Sequence, residues 1–425
     1  LEEYYLMQKL ARGFGTENID FRLDHANLSP GSSMDSSITL SEIESVDHAL
    51  ILSSYTRLEQ PMINHRIRKA VINGATVNTI NSKKFDFNFK TKIDLLTAPQ
   101  ALLPALQSIL KSLYLKTKAD LPEQLSKVNS SDEHDKIAND LIASENGVIV
   151  LGEHLKSNPS NSVIISTVSQ IAQISNSKIA NLTLSGNAHS AEKVGFIPTN
   201  QGMNAASMLT ESCKAFLLMD VDSQYDFFNP KLAMDLFNKD DVFVVSLTSF
   251  EDQSTLLSAD VILPMASFYE TSGTHINFDG IAQSFSASVK SPGDSKPGWK
   301  IIKVMADLLE LEGFSFVDSS QVAEEALLSS KVQTQINGSI AESFEDSDIT
   351  TLWQYAPYAI DNVTRRAKAL QESNIGKINS AYIAKSTAKK LSLSQDDLYL
   401  GVPVSISDDV AEDCVFVHTS QARRV

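Results

Sequence analysis

Cysteine is nearly missing from this chain. Its 425 residues hold two, Cys213 and Cys414, and neither belongs to a Cys-x-x-Cys pair. That excludes a disulfide framework and any cysteine-based zinc or iron–sulfur ligand set. Cys213 follows an apolar helical stretch and is expected to be a buried structural thiol. The eight histidines are scattered, with no His-x-x-x-His or His-Glu-x-x-His spacing, and Glu133-His134-Asp135 reads as a solvated helix start. No metal ligand is therefore expected. Glycine is scarce as well, at 17 residues in 425, or roughly half the usual share of about 7%. Dinucleotide and pterin cradles need glycine so that backbone N–H groups can approach a phosphate. Positive charge is in deficit, with 36 Lys and Arg against 52 Asp and Glu and a net charge of −16. Nucleic acid is thereby excluded as a partner, and the charge reads as solubility. No apolar run reaches the roughly 18 residues of a membrane span, so direct membrane insertion is not expected. The start shows no export-signal pattern, and Leu1-Glu2-Glu3 without methionine suggests a fragment of a longer protein.

What is present is alternation of strand and helix. Tyr4, Met7, Ala11 and Phe14 recur at helical spacing, and Gly13 and Gly15 end that helix. A Ser-rich polar loop follows from Ser29 to Ser37. His48–Leu52 reads as a strand, Pro61 as the first residue of a helix ended by Asn73-Gly74, and Val77–Ile80 as a second strand. This is half of a doubly wound topology. Helices are expected at Pro99–Lys116 and Asp132–Ser144, a strand at Gly147–Leu151, and a strand or helix start at Val163–Ile165. Phe216–Met219, Val242–Val245 and Val261–Leu263 read as buried strands of a second parallel sheet, with Asn229-Pro230 opening a helix between the first two. A helix from Pro297 carries Trp299, Ile302, Met305 and Leu309 on one face. The segment 314–350 is rich in Ser, Glu and Asp and reads as a surface helix plus linker. Val402–Ile406 and Cys414–Val417 read as strands of a different, β-rich tail.

One stretch is specific. Ala259-Asp260-Val261-Ile262-Leu263-Pro264 leads into Glu270-Thr271-Ser272-Gly273-Thr274-His275-Ile276-Asn277. Then come Asp279-Gly280-Ile281-Ala282-Gln283 and Pro292-Gly293-Asp294-Ser295-Lys296-Pro297-Gly298-Trp299. In order and content this resembles the pattern of the molybdopterin oxidoreductases. Gln8–Arg12 with Gly15–Asp20, Gly202–Ala206 and Arg365–Gln371 resemble further family segments. Within that superfamily the chain resembles the large iron–sulfur subunit of bacterial NADH:quinone oxidoreductase, respiratory complex I. Asp279-Gly280-Ile281 stands where molybdoenzymes usually carry Glu-Gly-Arg. The loop Ser53-Ser54-Tyr55-Thr56-Arg57 stands where they show a glycine-bearing turn, and no glycine lies between His48 and Asn73.

The resemblance implies an α/β fold of Rossmann-like parallel-sheet domains of the formate dehydrogenase/DMSO reductase type, with a short β-rich C-terminal remnant. It implies a split domain of 1–40 with 180–335, an inserted Rossmann-like domain at 41–179, a linker at 336–372 and a shortened domain at 373–425. Ser394-Gln395-Asp396-Asp397-Leu398 runs directly toward Pro403, which implies an incomplete final barrel. The implied function is a scaffold role in electron transfer from NADH to quinone coupled to proton translocation. The iron–sulfur clusters are expected in an N-terminal region absent here, and no molybdopterin is expected. The implied partners are the flavin- and NADH-binding arm and the quinone-side peripheral arm, on the cytoplasmic face of the inner membrane. Rival readings are a subunit of an active molybdopterin oxidoreductase, such as a formate dehydrogenase, and a free-standing cofactor-less binding protein.

No catalytic residue is expected in this fragment. Glu270, Thr271, Gly273, Thr274 and Asn277 are candidates for a vestigial cofactor pocket. The competing reading is a strand-end turn in which Gly273 adopts a conformation disfavoured for other residues. Asp260 reads as a cap or buried hydrogen-bond acceptor and not a catalytic acid, and Arg57, Arg66, Arg68 and Lys69 as a solvated helix face.

Overall fold

The computed structural model describes residues 1–24, 36–156, 158, 160–183, 186–199, 202–211, 213–251, 253–329 and 349–419. Its first sheet is built from short apolar runs. Strands β1 (His48–Leu52), β2 (Thr76–Asn81), β3 (Ile93–Leu96), β4 (Gly147–Leu151) and β5 (Lys178–Asn181) are all parallel, in the order β3-β2-β1-β4-β5. Every residue of β1 and β4 is buried, as expected for strands covered on both faces. On one face Leu106, Ile109 and Leu110 of the helix Pro99–Thr117 pack with Ile164 and Val168 of Asn161–Ser175, the helix that takes up the apolar run 163–165. On the other, Ile63 and Ile67 of the helix Pro61–Ile72 meet Ile51 and Val150. Pro61 sits at the start of that helix, and Gly74 closes it at φ +106°. The order reverses between β1 and β4, which makes their carboxyl ends the topological switch point.

The second sheet has three parallel strands, β6 (Ala215–Met219), β7 (Phe243–Thr248) and β8 (Val261–Pro264), in that order. The sequence suggests buried strands here, but among the described residues only Leu218 of β6 is buried, and Val261 of β8 is exposed (38%). The reason is strand count: a three-stranded sheet has one interior strand, so two of its three strands are edges. An antiparallel hairpin follows, β9 (Gly273–Ile276) with β10 (Ala282–Phe285). The helix Glu2–Gly13 packs here, far from it in sequence. Its Leu6 and Leu10 join Leu247, Ile276, Trp299, Ile302 and Val322 in one core. The helix carrying Trp299 spans Gly298–Leu308 and ends before Leu309.

A third sheet contains β11 (Thr350–Tyr355), β12 (Asn379–Ile383), β13 (Leu398–Tyr399), β14 (Val402–Ile406) and β15 (Cys414–Thr419), in the order β11-β15-β12-β14-β13. β11 lies within the stretch read as a linker, yet it pairs in parallel with β15 along six residues. Its Thr-Thr-Leu-Trp-Gln-Tyr sequence is rich in strand-forming types. Ahead of Pro403 the chain makes a tight hairpin, with Leu400 (φ 49°) and Gly401 (φ 79°) at the turn. This sheet meets the first where Phe416 of β15 packs edge-on against Phe85 (5.5 Å) and His154 (5.4 Å). Most of the loop from Ser29 to Ser37, and the acidic run 344–348, lie outside the described residues.

Candidate functional site

In an open parallel sheet, a ligand's phosphates sit beyond the carboxyl ends of the strands at the switch point. In the first sheet that place is taken by the protein itself. After β1 the chain turns at Ser53, in the left-handed region at φ 49°. It then brings Glu59 back under the strand ends. The Tyr55 amide donates to Glu59 Oε1 (2.8 Å), while the Ser54 hydroxyl (2.9 Å) and the Glu153 amide (3.3 Å) donate to Oε2. Glu153 follows β4, so both loops of the switch point converge on one carboxylate, which is 6% exposed. Gly152 closes the space between them. A Cβ there would stand 2.3 Å from both Ser53 O and Ser54 Cβ. The loop's remaining side chains are also engaged: Tyr55 stacks on Phe85 at 4.6 Å, and Arg57 pairs with Asp86 (2.6 Å). A diphosphate would meet packed backbone and a like-charged carboxylate. The residues do not fit a pterin dinucleotide at this edge.

The second sheet's carboxyl edge is closed with opposite charge. Asp220 leaves β6 at φ 50°, and Asn362 Nδ2 donates to its carbonyl (3.0 Å). Arg365 pairs with Asp226, and both Arg365 (3.9 Å) and Arg366 (3.8 Å) approach Asp222. The Arg365 guanidinium also lies over Tyr225 at 5.1 Å, and that of Arg366 over Phe250, just past β7, at 4.4 Å. Burial pushes the Asp226 carboxyl up to about 6, with Arg365 opposing. Residues 362–366 thus lie across the ends of β6 and β7.

Of the five candidates from the specific motif, Glu270 ends the short helical turn Phe268–Glu270, Thr271 follows it, Gly273 and Thr274 lie in β9, and Asn277 follows β9. Ser267 and Glu270 form a reciprocal cap, the Ser267 amide donating to Glu270 Oε2 at 2.9 Å. Thr271 Oγ1 donates to Ser272 O (3.2 Å). Thr274 is fixed at both ends of its peptide: its amide donates to Glu2 Oε2 (3.0 Å), and its carbonyl accepts from the Leu1 amino group (3.0 Å). Asn277 Oδ1 accepts from the amides of Asp279 (3.0 Å) and Ile281 (2.9 Å), tying the turn in which Gly280 takes φ +74°. Gly273 corrects the expectation of an unusual backbone angle. It lies in β9 without a positive φ, and its need is space, because a Cβ would stand 2.9 Å from the Phe285 ring. Two other family-like segments meet each other. Asn18 Oδ1 accepts from the Met203 amide (2.9 Å), Asp20 Oδ2 from the Ala205 amide (3.2 Å), and a Cβ on Gly202 would stand 2.2 Å from Glu17 O.

Asp260 accepts from the Val244 amide (2.7 Å), the acceptor role expected, though it is exposed. Arg66 and Lys69 pair with Glu44. Cys213 is half-buried instead of buried, while Cys414 is buried, its thiol pushed up to about 12 by desolvation. Among the described residues, no group of three His, Cys, Asp or Glu side chains could hold a metal ion. No described helix is long and apolar enough to cross a membrane. Sequence reasoning missed Glu59, Asp222 and Asp226. An acid seven residues past a strand, in a loop without glycine, was the available signal for Glu59.

The fold and the motifs agree with known proteins. The family model for molybdopterin oxidoreductase matches residues 1–308. The NADH-ubiquinone oxidoreductase 75 kDa subunit of Reclinomonas americana is 22% identical over 302 residues, covering 69% of this chain and 36% of that protein. NADH dehydrogenase [ubiquinone] iron-sulfur protein 1, mitochondrial, of Solanum tuberosum is 26% identical over 291 residues, covering 67% and 33%. The chain therefore spans about a third of the length of these relatives. Among solved structures, acetylene hydratase from Pelobacter acetylenicus superposes with a TM-score of 0.60 at 13% identity, over 97% of this chain and 74% of that one, a likeness of fold. With more than half its length matched by that family model, the chain belongs to the molybdopterin oxidoreductase family.

Proposed function

We propose that this chain is the cofactor-free scaffold portion of a complex I subunit of the NADH:quinone oxidoreductase type. The reading combines two supports. The long matches to known proteins carry the names of NADH-ubiquinone oxidoreductase subunits. The observation that carries the role is that both parallel sheets close their ligand edge with the chain's own charged groups, Glu59 in one and Arg365 with Asp226 in the other. A formate dehydrogenase-type enzyme, the rival within the family, needs those edges for its cofactor.

On this reading the iron–sulfur clusters belong to a part of the protein outside these residues. The chain positions that part between the flavin- and NADH-binding arm and the quinone-side arm. It lies peripherally on the cytoplasmic face of the inner membrane. The units are 1–40 with 180–335, the insertion 41–179, and the tail from 373, with β11 contributed by the preceding segment. Glu270, Thr271, Gly273, Thr274 and Asn277 act as structural residues of the hairpin and bind no cofactor.

The test is native purification of the full-length protein with its assembly. The flavin-containing and quinone-side subunits should co-purify, and elemental analysis with fluorescent pterin release should find neither molybdenum nor pterin. Stoichiometric molybdenum would overturn the reading.

A further inference from the structure

A buried carboxylate in a protein usually has a cation beside it. Glu59 has none within ion-pair distance among the described residues. It is held by neutral donors alone: the Tyr55 amide, the Ser54 hydroxyl and the Glu153 amide. A further polar side chain is bonded to the same loop. Asn81, 3% exposed at the end of β2, accepts from the Ser54 amide through Oδ1 (2.8 Å). That bond fixes which end of the carboxamide is which. Its Nδ2 has no hydrogen-bond partner among the described residues. Neutral donors from two loops that converge at the carboxyl edge of a parallel sheet form an oxyanion site.

We infer that the Glu59 carboxylate is an intramolecular ligand in a retained oxyanion site, so that removing it hands the site to a free carboxylate such as formate or acetate. The inference rests on the cofactor-free reading of this edge, and extends it: the donors persist, and their ligand has become part of the chain. Three properties make the exchange specific. The donors suit oxygen acceptors. The loops on either side are held by their own bonds, Ser53 N to Ile80 O (2.9 Å) and Gly152 N to Leu52 O (2.9 Å), so they do not depend on Glu59 alone. The contact of Gly152 with Ser53 and Ser54 limits the space to a small ion.

The experiment is chemical rescue of Glu59→Ala in the full chain. Thermal unfolding is followed in formate or acetate against chloride at equal ionic strength and neutral pH, with acetamide as the uncharged control. The variant should gain about 2 °C or more at an anion concentration ten times its Kd, and the gain should saturate. Wild type and Glu59→Gln, which keep the position filled, should respond equally to all the salts. If Glu59→Ala does not hold its fold, refolding yield in formate against chloride becomes the readout. The same response in the variant and wild type, or in formate and chloride, overturns the inference. Such a failure leaves the cofactor-free reading standing. Molybdenum in the natively purified wild type would remove that reading whatever the variant does.

Discussion

The two parallel sheets solve one problem in opposite ways. The first has five strands, two of them wholly buried, and its ligand edge is closed from within by a residue of the loop that follows β1. The second has three strands with exposed apolar side chains, and its edge is closed by Arg365, which stands 139 positions from Asp226. The first sheet therefore carries its own means of stability. The second depends on distant segments: the Glu2–Gly13 helix on one side and residues 362–366 at the strand ends. On the proposed cofactor-free reading, two crevices are left to fill, one by a local plug and the other by a long-range one.

The largest expected effect separates the two cores. Leu50→Ala, at a fully buried site in β1, should cost about 3–4 kcal/mol in denaturant unfolding. Val261→Ala in β8, where the side chain is 38% exposed, should stay within about 0.5 kcal/mol. Equal costs would erase the distinction. Next comes the long-range plug. Arg365→Ala leaves the carboxylate of Asp226 without its cation and should destabilise by about 3 kcal/mol. Hydrogen exchange should then quicken in β6 and the loop 220–226 while β1 stays protected; uniform acceleration would contradict separate plugs.

Acid should act on the two sheets with opposite sign. Burial holds the His48 imidazole, in β1, down to about 4, below its unfolded value near 6.5. Its contribution is therefore present above pH 6.5 and lost as pH falls toward 4, at most about 3 kcal/mol. Asp226 is raised to about 6, so its contribution is present below its unfolded value near 4 and lost as pH rises through 6, by a similar or smaller amount. Stability profiles of His48→Gln and Asp226→Asn between pH 4 and 7 should bend in opposite directions relative to the parent protein. Parallel bends would refute the assignment. A more modest effect belongs to the hairpin. Gly273→Ala should cost about 1 kcal/mol, because the Phe285 ring must move by a few tenths of an ångström and is not fully buried. Gly280→Ala offers the contrast, since its cost comes from φ +74° and not from contact.

Much of the α/β framework was legible because its signals are local. Pro61 and Gly74 bracket a helix, and continuous apolar runs mark β1 and β4, with no information needed from elsewhere. The exposure of β6 and β8 was not, because an apolar run does not say how many neighbours its sheet will have. β11 was hidden by its acidic surroundings, although its own six residues favour a strand. The motif residues Glu270 to Asn277 were legible as a cluster and misread in one detail: a sequence cannot separate a glycine needed for its angle from one needed for a neighbouring ring. Glu59 was only partly legible for a physical reason. Its donors at Ser54 and Tyr55 are local, but the Glu153 amide that joins the second loop to it arrives from 94 positions away.

The order of strands in the third sheet has a consequence for the timing of synthesis. β15 comes last of the strands, yet it stands between β11 and β12. The first sheet is complete once residue 181 has emerged and needs nothing later for its backbone pairing. β11, in contrast, has no other sheet neighbour among the described residues and waits as an unpaired strand while some sixty further residues are made. The nascent chain thus carries a finished domain beside open strand edges until residues 414–419 appear. Open edges of that kind are where a growing chain is exposed to wrong partners. A stop or a frameshift just before β15 would leave β11 unpaired and the faces of Phe85 and His154 uncovered, so the loss of this one strand would be felt through the whole third sheet.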